Sequence, residues 1–217
     1  MTESRLREEM AALGASLFNR GFSSGSGGNM SAKLPDGAIL ATPTNASLGR
    51  LDPARLSKVA ADGTLLSGDP PSKECAFHIK IYEARPECGA VVHLHSTYAT
   101  GLACCRDLDV NDVLRPFTPY YVMKVAPLPL VPYCKPGSPE LVAAIAAKAR
   151  EAKCLLLANH GPIVTGKTLE DAVNMAEELE ETAKLFFLLR GSGVKTRYLT
   201  GEEIRELAPD NKEQPAP

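Results

Sequence analysis

The chain has 217 residues, 44% of them hydrophobic and 23% charged, with a formal net charge of -2. That length and balance fit one domain with a full core. The small net charge excludes a whole-chain affinity for nucleic acid, while leaving room for a local cationic pocket that takes an anionic metabolite.

The N-terminal stretch MTESRLREEM is charged and carries no apolar signal core. No uninterrupted apolar run is long enough to span a bilayer, so the expectation is a soluble, cytoplasmic protein with no membrane partner. Glu3 to Arg20 places Leu6, Met10, Leu13 and Leu17 on one helical face. Gly21 ends that helix. The loop SSGSGGNMS leads into an extended run, Met30 to Leu34. Pro35-Asp36-Gly37 turns the chain back into Ala38 to Ala41, which predicts a hairpin. Asp52-Pro53 reads as a helix start, and Asp62-Gly63 as a turn before Thr64-Leu65-Leu66. Ser72 reads as an N-cap for a helix over 73–85 that Pro86 stops.

Ala90 to His95 is a short, Val-rich apolar run, the pattern of a buried strand. Ser96 then caps a helix to about Cys105. Residues 107–124 are irregular, and Val125 to Val131, interrupted by Pro127 and Pro129, belongs at a sheet edge. Ser138-Pro139-Glu140 opens a helix to about Arg150. Cys154 to Ala158 reads as a second buried strand. Thr168 begins the longest helix, which runs to Arg190 and stops at Gly191, with Asp171 at the capping-box position. The organisation predicted is one domain over 1–207 with a disordered tail over 208–217. Helices long enough to cover both faces of a central sheet give a three-layer α/β/α domain. Six cysteines include no CxxC pair, and several, such as Cys154 in CLLLA, sit in apolar stretches; they read as buried free thiols.

The chain has four histidines. His93 and His95, two apart on a strand, project from the same face. Two imidazoles side by side on an apolar strand are costly to desolvate unless a cation uses them. His160, in Asn159-His160-Gly161-Pro162, lies at the end of the second buried strand, where ligands of open α/β sheets bind. Glu74 sits in the first turn of its helix, where the helix dipole favours a carboxylate. It shares a helix face with His78 at i+4, and that pair could itself chelate a metal. Three histidines and a carboxylate suit Zn²⁺ or a similar divalent ion such as Mn²⁺ or Co²⁺. Gly28 and Asn29 in the Gly-rich loop, Thr44 and Asn45 in TPTN, and Ser72 with Lys73 offer backbone N–H groups, hydroxyls, amides and one cation to a phosphate.

The segments GGNMS, TPTN, PSKE, HLH and NHG, followed by a long acidic helix, resemble in order and spacing the class II aldolase/adducin family. The resemblance covers about Leu6 to Arg190. It implies an α/β/α fold with a mainly antiparallel sheet, and a ring-shaped homotetramer with sites at subunit interfaces. It implies Glu74 as base and metal neighbour, and His93, His95 and His160 as metal ligands. Asn29, Thr44, Asn45 and Ser72 match the phosphate segments. Tyr120, or the adjacent Tyr121, matches a tyrosine that donates a proton across the interface. His78 is given no ligand role and falls in the core or behind the site.

PSKECAFH and TPYYVMKVAPLPLVPY are similar to the members that decarboxylate a 3-oxo-tetronate 4-phosphate. The aldolases tend to carry Ser-Ser-Glu where this chain has Ser72-Lys73-Glu74, and the extra cation suits an extra carboxylate on the substrate. The C-terminal tyrosine of the aldolases and epimerases has no clear match; Tyr198 comes early. The implied reaction is loss of CO₂ through a metal-stabilised enediolate to give dihydroxyacetone phosphate. A sugar-phosphate aldolase or 4-epimerase on the same site is the alternative, and a non-catalytic adducin-like scaffold is a third.

Overall fold

The computed structural model describes residues 1–207; the tail expected over 208–217 lies outside them. The elements in chain order are α1 (Glu3–Asn19), β1 (Asn29–Lys33), β2 (Ile39–Ala41), β3 (Ser57–Val59), β4 (Leu65–Ser67), α2 (Cys75–Ala84), β5 (Ala90–His93), α3 (Thr97–Ala103), β6 (Leu130–Val131), α4 (Pro139–Ala149), β7 (Cys154–Leu157), β8 (Gly161–Gly166), α5 (Leu169–Ser192) and α6 (Gly201–Leu207).

The eight strands form one sheet in the order β4-β3-β2-β1-β5-β8-β7-β6. Every pairing is antiparallel except that of β6 with β7. The expected hairpin forms with Ser31 opposite Ala41. The proline-interrupted run contributes only β6, at the sheet edge, because proline cannot donate to a ladder.

Strand alternation divides the core into two layers. Met30, Ala32, Ala90 and Val92 pack with Leu6, Met10 and Leu17 of α1, and with α3 and α5. Val91, Ile39 and Ala41 face the other way, onto Phe77 and Ile81 of α2 and Leu141 and Ile145 of α4. Helices therefore cover both faces, as the sequence predicts. The face beneath α2 also receives the polar positions of β1, Asn29 and Ser31, and these lead to the site.

Several boundaries differ from the sequence reading. α2 starts at Cys75, with Glu74 in the N-cap position and Ser72 Oγ accepting from the Glu74 N–H. Asp52-Pro53 opens only a single 3-10 turn. α5 runs to Ser192, and Gly193, in the left-handed conformation, ends it. All six cysteines are unpaired, but only Cys75, Cys88 and Cys154 are fully buried. No described helix is long and apolar enough to cross a membrane.

Candidate metal centre

β5 delivers His93 to the α2 side of the sheet, and His95 follows two residues later. Gly28 lets the preceding loop press against this strand: a Cβ there would come within 2.8 Å of the His93 carbonyl oxygen. Gly161 plays the same part from the β7–β8 turn, where a Cβ would meet the Leu94 carbonyl oxygen at 2.3 Å. That turn aims His160 at the other two rings, with Asn159 at φ 58°, a conformation that asparagine tolerates. Glu74 closes the group from the start of α2.

The side chains of Glu74, His93, His95 and His160 each offer one ligand atom, and these atoms lie within 4.8 Å of one another. His95 Nε2 is 3.0 Å from His93 Nε2 and 3.1 Å from His160 Nε2. The Glu74 carboxylate oxygens stand 3.5 Å from His93 Nε2 and from His160 Nε2. His93 Nδ1 donates to the Pro162 carbonyl oxygen at 2.8 Å. A carbonyl only accepts, so the proton of the neutral ring is on Nδ1 and Nε2 presents a lone pair to the centre.

Burial first, and then its histidine neighbours, hold the His93 imidazole well below the usual range. Burial and His160 lower His95 as well. Both rings are therefore neutral near pH 7. One N–H on His95 Nε2 could serve only one of its two neighbours, so the three nitrogens cannot satisfy each other. A divalent cation held by the three Nε2 atoms and the carboxylate resolves this, and the donor set fits one.

The centre opens into a cavity of about 430 Å³. Gly28, Asn29, Thr44, Asn45, Ser72 and Lys73 all line it, together with Glu74, His95 and His160. The residues expected to bind an anion, spread from Gly28 to Lys73 in sequence, thus line one cavity. Lys73 has no ion-pair partner among the described residues and is exposed toward the cavity. Pro136 and Gly137 also line it; the sequence reading missed them, because a Pro-Gly turn before α4 carries no signal of a ligand wall.

The two tyrosines separate. Tyr121 is fully buried, and its hydroxyl donates to Asp112 Oδ1 at 2.5 Å. Tyr120 is 60% exposed and does not line the cavity of its own chain. Tyr198 lies elsewhere, beneath the guanidinium of Arg115, 4.3 Å from its ring centroid.

Glu180 of α5 is a further contributor that sequence reasoning did not find. Its buried carboxylate accepts from Ser96 Oγ, Tyr98 N–H and Ala99 N–H at 2.7–2.8 Å. The expected Ser96 side-chain cap is thus replaced by a glutamate from a distant helix, which pins the start of α3 directly after His95.

An α/β/α domain with a mainly antiparallel sheet and a His₃Glu centre opening into a polar cavity defines a class of metal-dependent sugar-phosphate enzymes. The family model described as "Class II Aldolase and Adducin N-terminal domain" matches residues 8–187, and the chain belongs to this family. The 3-oxo-tetronate 4-phosphate decarboxylase of Escherichia coli (strain K12) is 55% identical over 205 residues, covering 94% of this chain and 96% of that protein. The L-fuculose phosphate aldolase of Haemophilus influenzae is 30% identical over 210 residues, covering 94% and 93%. The crystal structure of YgbL from Klebsiella pneumoniae superimposes with a TM-score of 0.93 at 53% identity, covering 95% of this chain and 99% of that one.

Proposed function

We propose that this chain is a metal-dependent decarboxylase of a 3-oxo-tetronate 4-phosphate, releasing CO₂ and dihydroxyacetone phosphate. The observation that carries the reading is the convergence of Glu74, His93, His95 and His160 at the edge of a polar cavity that Lys73 also lines. The 55% identity to a decarboxylase of that substrate over nearly the whole chain supports it.

The chemistry asks for three things. The phosphate must be anchored; Gly28, Asn29, Thr44, Asn45 and Ser72 supply polar groups for it, with α2 beginning beside them. The carboxylate must be oriented next to a ketone; Lys73 is the cation on the cavity wall for this. The C1–C2 bond then breaks, CO₂ departs, and the electron pair left on C2 delocalises into the C3 carbonyl. A divalent ion at the centre, Zn²⁺ in this proposal, with Mn²⁺ or Co²⁺ as ions the same donors accept, supplies the positive charge that stabilises this negative charge.

A proton delivered to C2 completes the product. Glu74 borders the reaction space and can pass a proton through water. Tyr120 is the second donor. Its exposure and its absence from the lining of its own cavity fit a residue that works in a neighbouring copy, so the homotetramer with sites between subunits belongs to the same proposal. A cytoplasmic location fits six unpaired thiols.

The test is a substrate comparison with and without added metal. The expected result is CO₂ release from a 3-oxo-tetronate 4-phosphate that stops on chelation. Aldehyde release from a ketose phosphate, with no CO₂ from the acid, would assign the site to an aldolase instead.

A further inference from the structure

His78 is fully buried one turn along α2 from Glu74 and touches none of the four centre atoms, yet it is joined to them. Tyr82 hydroxyl and Ser31 Oγ are 2.8 Å apart. Ser31 Oγ is 2.7 Å from His78 Nδ1, and His78 Nε2 is 2.6 Å from Asn29 Oδ1. Asn29 Nδ2 is 2.6 Å from Glu74 Oε2.

The direction of every bond follows from the Glu74 end. A carboxylate accepts, so the Asn29 amide must turn Nδ2 toward Glu74 and Oδ1 toward His78; reversed, two acceptor oxygens would meet at 2.6 Å. Oδ1 only accepts, so His78 donates from Nε2, and Nδ1 accepts from Ser31. The Ser31 hydrogen is then committed, so Tyr82 donates to Ser31. Among the described residues only Ser47 Oγ is a buried side-chain polar atom without a partner, so this string is complete. Strand and helix geometry build it: Asn29 and Ser31 are two apart on β1, and Glu74, His78 and Tyr82 are spaced by four at the start of and along α2.

We propose that His78 is a positioning residue for the metal centre. Through the Asn29 amide it fixes which way the Glu74 carboxylate faces, and Ser31 and Tyr82 lock its ring in the Nε2–H form. The proposal rests on the metal-centre reading, and its consequence is quantitative. Outer partners of a ligand shape affinity by about 10–100-fold when removed, because a ligand free to rotate must be ordered on binding.

The experiment measures Zn²⁺ affinity by chelator competition on the full chain, for wild type, His78→Leu and His78→Gln, together with ¹⁵N shifts of His78 in the wild type. His78→Leu is expected to bind Zn²⁺ about 10–100-fold more weakly. His78→Gln, whose amide can still donate to Asn29 Oδ1, should recover most of that loss. The ¹⁵N shifts should show the proton on Nε2. Unchanged affinity in His78→Leu, or an equal loss in both variants, would overturn the proposal. So would a proton on Nδ1, which decides the matter even if the leucine variant fails to fold. Wild-type protein that takes up no Zn²⁺ would sink the metal-centre reading, and the shifts would still judge the orientation of the string.

Discussion

Glu180 Oε2 accepts the Ser96 hydroxyl at 2.7 Å across 84 residues of sequence, and the same carboxylate takes the Tyr98 and Ala99 N–H groups. One residue of α5 thereby holds the backbone that leaves His95. Glu180→Ala would orphan three donors at a buried helix start. Its expected cost is about 2–4 kcal/mol, or a fall in Tm of roughly 4–16 °C for a chain of this size. Thermal unfolding of metal-free protein checks this, and an unchanged Tm would remove Glu180 from the account.

The histidines set a pH dependence. Burial lowers His78 to about 3 and holds His93 well below the usual range. In the unfolded chain both titrate near 6.5. Below that pH the unfolded state binds more protons than the folded one, so folding stability is full above about pH 6.5 and falls as the pH drops toward the folded values. Between pH 6.5 and 5 each such histidine removes roughly 2 kcal/mol. Denaturant unfolding of the metal-free chain at pH 7.5 and 5 should show that loss, with a smaller loss in His78→Gln. Equal stability at the two pH values would mean the rings are not held neutral.

Lys73 sorts substrate from metal. It lines the cavity but is no part of the four-atom centre. Lys73→Ser should lower kcat/KM for the acid about 10–100-fold, the worth of one charge-assisted contact, with bound metal unchanged. Parallel loss of metal and activity in this variant would count against a substrate role.

The adjacent tyrosines should behave oppositely. Tyr120→Phe is expected to cut turnover by roughly 10²–10⁴-fold, the range of a positioned proton donor, and to leave Tm alone. Tyr121→Phe strips Asp112 of its hydroxyl donor and should cost about 1–3 kcal/mol of stability. Steady-state kinetics and thermal unfolding, run on both variants, separate the two; full turnover in Tyr120→Phe would end its assignment.

Much of this was legible where local pattern and tertiary role agree. The apolar stripe of α1, the Ser138-Pro139 start of α4 and the His93/His95 pair announce themselves, because periodicity and caps are set by neighbours in sequence. Gly161–Gly166 is less forthcoming. Gly161 and Pro162 look like a turn, yet they begin β8, since pairing with β7 supplies what local preference lacks. The order of the strands, the Pro136-Gly137 wall and the grip of Glu180 on Ser96 depend on contacts between distant segments, and no local pattern encodes them. Tyr120 and Tyr121 are alike in sequence and differ only through Asp112 and burial.

The central claim is that three imidazoles and one carboxylate hold a single ion. Elemental analysis after reconstitution with Zn²⁺ and removal of excess, on wild type and on His93→Ala, His95→Ala and His160→Ala, tests it most directly. The account predicts about one ion per wild-type chain and far less than one in each variant. Full occupancy in any of the three, or none in the wild type, would contradict it.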